Sequence, residues 1–307
     1  MNVGIIGLGM MGLPIATRLA LKGHKIIAFN RDRSKAEKLV AATIATTKKL
    51  KIADKPKEVG DSSNIVIICV KDYQAVANIS FATGGLIETV NRDLIVIQCS
   101  TISPEESNKL ADLYSNRQIR MLSVPILGGT TAVEKGEIIL IGAGHKTAYD
   151  LAEPILRDLS AQIFYLGSDY RTASALKLAF NIHIALLALA LAEGLVFARG
   201  TGVDTATYIK VLNSTYFKTG ISERKGTRIV NGDYNASFYL TNMVKDLDLA
   251  LRTAYTSGLT LPITASSEAV YRASEAFGLS SMDYTSVAAY LLKLNGFNTF
   301  RPDSKQE

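Results

Sequence analysis

The chain has 307 residues, enough for one large or two ordinary domains, and its 48% hydrophobic and 20% charged content is that of a globular protein rather than a disordered or fibrous one. The net charge of +6 suits an anionic cofactor or an acidic substrate, but no basic run is interleaved with aromatics, so nucleic-acid binding has no support. Cys69 and Cys99 form no CxxC pair and the three histidines form no cluster, which argues against a metal and for free thiols in a reducing compartment.

The N-terminus enters a strand at once, so no signal or transit segment is expected and a cytoplasmic location is. Met1 to Ile6 is short and apolar, as a buried parallel strand requires. It runs into Gly7-Leu8-Gly9-Met10-Met11-Gly12, then an amphipathic helix to Lys22, then a second strand, Lys25 to Phe29. Strand, GxGxxG, helix, strand is the context of a dinucleotide site rather than a bare motif. Gly7 permits the tight turn, Gly9 lets a pyrophosphate approach the backbone, and Gly12 lets helix and sheet pack closely. Leu8, Met10 and Met11 complete the loop, and the helix start offers amides and a positive dipole end to the phosphates.

The end of the second strand selects the nucleotide. Asn30 stands where an Asp or Glu would hold a ribose, with Arg31, Arg33 and Lys35 beyond it. Arg31 can stack on adenine and pair with a 2′-phosphate, and Lys35 adds charge, which favours NADP(H). Asp32 leaves NAD(H) open as a ribose ligand, and Arg33 and Lys35 also read as solvated helix positions.

A helix is expected over Ser34 to Ala42, and an irregular connection over Lys48 to Lys57 with a short helix near Lys57 to Gly60. Strands follow at Ile65 to Val70 and Leu94 to Gln98. Val70, Lys71, Ser100 and Thr101 then lie at the carboxyl edge of a parallel sheet, where ligands bind in open α/β folds. Ser103, Pro104 and two acids open a helix. Strands near Met121 to Val124 and Glu137 to Ile141 flank Gly128-Gly129, a pair that either brings bare amides to an anion or makes a tight turn. A helix over His145 to Ser160 and a strand over Gln162 to Leu166 lead to a hinge at Gly167 to Asp169.

Arg171 to Gly200 reads as one long helix, rich in Ala and Leu and closed by Arg199-Gly200. Lys177 and Asn181 share one face of it, four residues apart. They are either a functional pair facing a cleft or a snorkelling Lys with a locally satisfied Asn. The run Leu178 to Ala198 is long enough to cross a membrane, but Asn181, His183 and Glu193 interrupt it and no second span supports insertion, so no membrane is expected. Beyond it only helices are expected: Asp204 to Asn213, Phe217 to Ile229, Asn242 to Ser257, Ile263 to Gly278 and Tyr284 to Leu294, then a polar tail at Asp303 to Glu307. The expected class is α/β, a doubly wound Rossmann-type domain over 1–167 and an all-helical domain over 168–307 that begins with the connecting helix.

Four blocks resemble the β-hydroxyacid dehydrogenase family, which includes 3-hydroxyisobutyrate dehydrogenase: GLGMMG at Gly7 to Gly12, Ser100-Thr101-Ile102-Ser103-Pro104, Gly128-Gly129 with Gly136, and Lys177-Leu-Ala-Phe-Asn181 with Ala192-Glu193. Lys245-Asp246-Leu247 matches a fifth. The resemblance implies that Lys177 is the acid/base and Asn181 holds the reacting oxygen. It implies that Gly128, Gly129 and Ser100 contact a small carboxylate-bearing substrate and that Thr101 touches the cofactor near its nicotinamide. Lys245 is expected at both ligands, and as a cation that lowers the pKa of Lys177. The expected activity is hydride exchange between NADP(H), or NAD(H), and a 3-hydroxyisobutyrate-, glyoxylate- or succinic-semialdehyde-like compound, in a homodimer or homotetramer. Two departures stand out. Leu127 replaces the family's usual Ser, which removes a donor to the carboxylate, and Val70 follows Cys69 where a Pro is common. Leu127 keeps an imine reductase open as an alternative, and a non-catalytic NADP(H)-binding regulator is a third.

Overall fold

The computed structural model describes residues 1–34, 36–37 and 50–297. Lys35, most of the helix expected over Ser34 to Ala42 and the polar tail lie outside them. Two compact units make up the chain, Met1–Lys177 and Leu178–Glu307.

The first unit is built on a sheet with the order β3-β2-β1-β4-β5-β6, all parallel. Its strands are β1 (Asn2–Ile6), β2 (Lys25–Phe29), β3 (Leu50–Ile52), β4 (Ile65–Ile68), β5 (Ile95–Gln98) and β6 (Arg120–Ser123). This is the doubly wound order with its switch point between β1 and β4. The middle strands are apolar throughout because both faces are covered. Val3, Ile5, Ile65, Ile67, Ile95 and Ile97 feed one core, shared with α1 (Gly12–Leu21) and α6 (Lys146–Leu159). Ile6, Val66, Ile68 and Val96 feed the other, under α2 (Pro56–Asp61), α3 (Tyr73–Phe81) and α4 (Pro104–Ser115). Each such side chain contributes about 1.5–3 kcal/mol.

The sheet continues through β8 (Ile138–Gly144), antiparallel to β6 and to the two-residue β7 (Ile126–Leu127), with β9 (Ser160–Tyr165) parallel to β8 on its other side. α5 (Thr130–Lys135) joins β7 to β8. The sequence reading needs correction here. Leu50–Ile52 is the edge strand rather than an irregular connection, because its backbone pairs with Ile26–Ala28. Helices α3 and α5 were not expected.

The long helix, α7 (Tyr170–Gly200), begins in the first unit and continues into the second. Its start is held by a hydrogen bond from Ser107 Oγ to the Tyr170 carbonyl and by Ser174 Oγ facing Ser123 Oγ at 3.4 Å. In the second unit Ala185, Ala188, Leu189, Ala192 and Leu195 of α7 face a core with α8 (Thr205–Ser214), α9 (Gly220–Val230), α10 (Leu240–Thr256), α11 (Pro262–Ser274) and α12 (Val287–Leu294). A buried ion pair pins the chain there. Lys225 Nζ donates to Asp283 Oδ2 at 2.8 Å, and the same oxygen accepts from Ser237 N at 2.9 Å. Burial acts to raise the Asp283 carboxyl, but Lys225 and the backbone donor hold it below its usual value.

Candidate active site

The glycine loop is tight on the protein side and open on the other. Gly7 has φ +93°, a conformation that favours glycine, and a Cβ there would meet the Cys69 carbonyl and Val70. A Cβ at Gly12 would run into the Gly7 carbonyl oxygen, whereas one at Gly9 would meet nothing within 4 Å. The loop therefore leaves bare backbone beside open space at Gly9. α1 begins there with no side-chain cap and no acid in its first turn, which fits an anion. The residues present fit a dinucleotide pyrophosphate.

Asn30 serves this loop directly. Its Oδ1 accepts from Leu8 N at 2.8 Å and its Nδ2 donates to the Asp32 carbonyl, also at 2.8 Å. It staples the end of β2 to the glycine turn. Arg31 is exposed. Arg33 is paired with Asp54 and Glu37. Asp32 accepts from the backbone and hydroxyl of Ser34.

At the carboxyl edge, Ser100 Oγ accepts from Val70 N at 2.9 Å and so ties the ends of β4 and β5 together. Lys71 is exposed and Thr101 half-buried. Asp72 caps α3 through Ala75 N. Cys69 and Cys99 follow register partners of β4 and β5 and are both free. Burial pushes the Cys69 thiol up to about 12, and the charge of Lys177 works against that rise. The half-buried Lys177 thus lies near the residue that backs the Gly7 turn.

Gly128 has φ +135°, and Gly129, the residue before α5, faces open space. Leu127 packs with Ile141, Ala143, Ala173 and Leu176, the last adjacent to Lys177. Arg18 of α1, which sequence reasoning missed, donates to the carbonyl of Glu134 in α5 at 2.9 Å and to that of Asp158 in α6. A Cβ at Gly136 would occupy the place of its guanidinium.

The remaining candidates meet in the second unit. Asn181 Nδ2 donates to Asp246 Oδ2 at 2.6 Å, and Lys245 Nζ lies 2.7 Å from Asp246 Oδ1. Asn181 and Asp246 are 2% and 1% exposed. Lys245 therefore carries a counter-ion, and seen from a distance it is half of a pair rather than a lone cation. Asp246 had no assigned role in the sequence. Its signal was an acid on the buried stripe of α10, between Val244 and Leu247. Among the described residues no group of three or more His, Cys, Asp or Glu could hold a metal.

Comparison with known proteins places the chain in a family and matches its fold. Residues 2–167 match the model of the NAD binding domain of 6-phosphogluconate dehydrogenase, and residues 172–291 match that of the NAD-binding region of NADP-dependent 3-hydroxyisobutyrate dehydrogenase. An uncharacterized oxidoreductase of Bacillus subtilis is 30% identical over 94% of this chain and 98% of its own. Glyoxylate/succinic semialdehyde reductase 1 of Arabidopsis thaliana is 26% identical over 94% and 97%. The crystal structure of 3-hydroxyisobutyrate dehydrogenase from Salmonella typhimurium has the same fold, with a TM-score of 0.85 at 21% identity, covering 94% of this chain and 99% of that one.

Proposed function

Because the chain belongs to the β-hydroxyacid dehydrogenase family of NAD(P)-dependent oxidoreductases, we propose that it interconverts a small hydroxyacid and its semialdehyde or keto acid, with NADP(H) preferred and Lys177 as the acid/base. The observation that supports the reading is a half-buried Lys177 whose charge acts on the Cys69 thiol at the carboxyl end of β4, the strand whose end packs against the Gly7 turn. The bound nicotinamide supplies or takes the hydride. In reduction Lys177 gives a proton to the carbonyl oxygen as that oxygen gains charge, and in oxidation it takes the proton back. Asn181, one turn along α7, holds the same oxygen through the part of its amide not given to Asp246. Gly128 and Gly129 receive the carboxylate through backbone amides. The NADP(H) preference rests on exposed Arg31, since Arg33 is engaged by Asp54 and Glu37. The two free thiols accord with a cytoplasmic setting, and the exposed Phe197, Phe217 and Tyr255 with a homodimer or homotetramer.

Lys177→Ala tests the mechanism. Turnover should fall about 10²–10⁴-fold while nucleotide affinity stays within a few-fold. Near-normal turnover would remove Lys177 from the chemistry. Glyoxylate, succinic semialdehyde and 3-hydroxyisobutyrate, each run with both nucleotides, locate the substrate class. A second reading, imine reduction, is favoured by Leu127, whose apolar packing offers no hydroxyl to a carboxylate. Turnover of cyclic imines in place of all three acids would establish it.

A further inference from the structure

We infer that Cys69 and Cys99 together form a binding site for a soft monovalent cation, with Cu(I) as its natural occupant. The two thiols are far apart in the chain, and the sheet makes them neighbours. Ile68 of β4 and Gln98 of β5 are register partners, and Cys99 N continues the ladder by donating to the Ile68 carbonyl at 2.9 Å. Cys69 and Cys99 are the next pair along the two strands. Alternation puts both on one face. Ile65, Ile67, Ile95 and Ile97 lie on that face and share a core with the cysteines, whereas Val66, Ile68 and Val96 feed the opposite core. Cys99 is buried and Cys69 half-buried, so an ion has a way in past Cys69. Met11 packs against the same core, and its neighbour Gly12 sits where a Cβ would come within 3.8 Å of the Cys69 Cβ. The setting is two thiols with a thioether packed on the same core.

The geometry suits an ion better than a bond between the sulfurs. Neighbouring strands lie about 4.8 Å apart, so in-register side chains start from that separation. Two metal–sulfur bonds of about 2.3 Å in a line span about 4.6 Å. A disulfide needs the Cβ atoms drawn in to about 3.8 Å. Burial also pushes both thiols up, which leaves little thiolate for a peroxide to attack. A soft cation brings its own charge to the site. One cation and two thiols give a bis-thiolate with a single net negative charge, and both thiol protons go to solvent with no change of oxidation state. The Lys177 charge, felt at Cys69, offsets what remains. Zinc takes four ligands in a structural site, and among the described residues no third His, Cys, Asp or Glu joins the pair. Thiolate and thioether donors select Cu(I).

Anaerobic titration of the full chain with Cu(I), supplied as its bicinchoninate complex, tests this. The chain should take one Cu(I) from the chelator, and the loaded protein should show only sulfur neighbours at the copper X-ray absorption edge. Cys69→Ala and Cys99→Ala, with melting temperatures to report folding, should each weaken uptake by at least about a hundredfold, because losing a ligand costs more than losing the groups behind it. The chain has 2 cysteines, so thiol counting reads this pair alone. Both should be blocked in the copper form and recovered when excess chelator strips the metal. No uptake, uptake kept by either variant, nitrogen or oxygen neighbours at the edge, or both thiols lost to a disulfide that chelator does not restore would each overturn the proposal. The absorption measurement uses the parent chain, so it decides the matter even where a variant fails to fold. No readout is catalytic or uses a nucleotide, so the outcome is separate from the reading of Lys177.

Discussion

Asn181 and Asp246 lie 65 residues apart in the chain, and the Asn181 amide donates to the Asp246 carboxylate over 2.6 Å in a buried setting. The contact fixes which way the amide points. The carboxylate's other oxygen faces Lys245 at 2.7 Å. One acid therefore orients a neutral group and neutralises a cation.

Asp246→Ala removes both services. The buried Asn181 loses its acceptor and Lys245 its counter-ion, so unfolding in urea should show a loss of about 1.5–3 kcal/mol. Asp246→Asn keeps the shape and should cost less. Equal stability of all three proteins would show that the contact carries little.

Gly9 and Gly12 should separate binding from folding. Gly9→Ala places a methyl in open space, so the melting temperature should hold while nucleotide affinity falls, as titration calorimetry would read. Gly12→Ala drives a methyl into the Gly7 carbonyl and should lower stability as well, by about 1–3 kcal/mol. The reverse pattern would mean that the pyrophosphate does not approach at Gly9.

Arg31→Ala should weaken NADP(H) by about tenfold and leave NAD(H) nearly unchanged, because only the former carries a 2′-phosphate for the guanidinium. A parallel loss of both nucleotides would assign Arg31 to adenine stacking alone.

The Lys225–Asp283 pair predicts a pH dependence. The Asp283 carboxyl is held below its unfolded value, so its contribution to stability is complete above that unfolded value and disappears as pH falls through the folded one. Lys225→Met strands the buried carboxylate and should cost about 3–5 kcal/mol at neutral pH. The deficit should shrink as pH falls through the titration of the folded carboxyl, which lies below its ordinary value. Urea unfolding at several pH values reads this directly, and a deficit independent of pH would point to lost packing instead.

The parallel sheet was legible because its central strands are covered on both faces, so IVII and IVIQ stand out as unbroken apolar runs. The glycine fingerprint was legible because its spacing is set by one turn. Leu50–Ile52 was not, since a three-residue edge strand flanked by lysines is only half-buried and shows no usable alternation. The six residues of α5 are too few for a helical period to register. At the candidate site, types and spacing pointed to Lys177 and Asn181, yet the role of Asn30 as a staple for Leu8 depends on a contact 22 residues away. Sequence periodicity carries one-dimensional information, and such contacts are set by the sheet order.

Arg18 ties three helices at one point: it belongs to α1, which starts at the glycine turn, and it grips the carbonyl ends of α5 and α6. The loop that precedes α5 is Gly128-Gly129. The helix that follows the glycine turn and the helix that follows Gly128-Gly129 are thus joined through one guanidinium. Crowding at position 136 would be felt in both helices, though neither loop would have been touched.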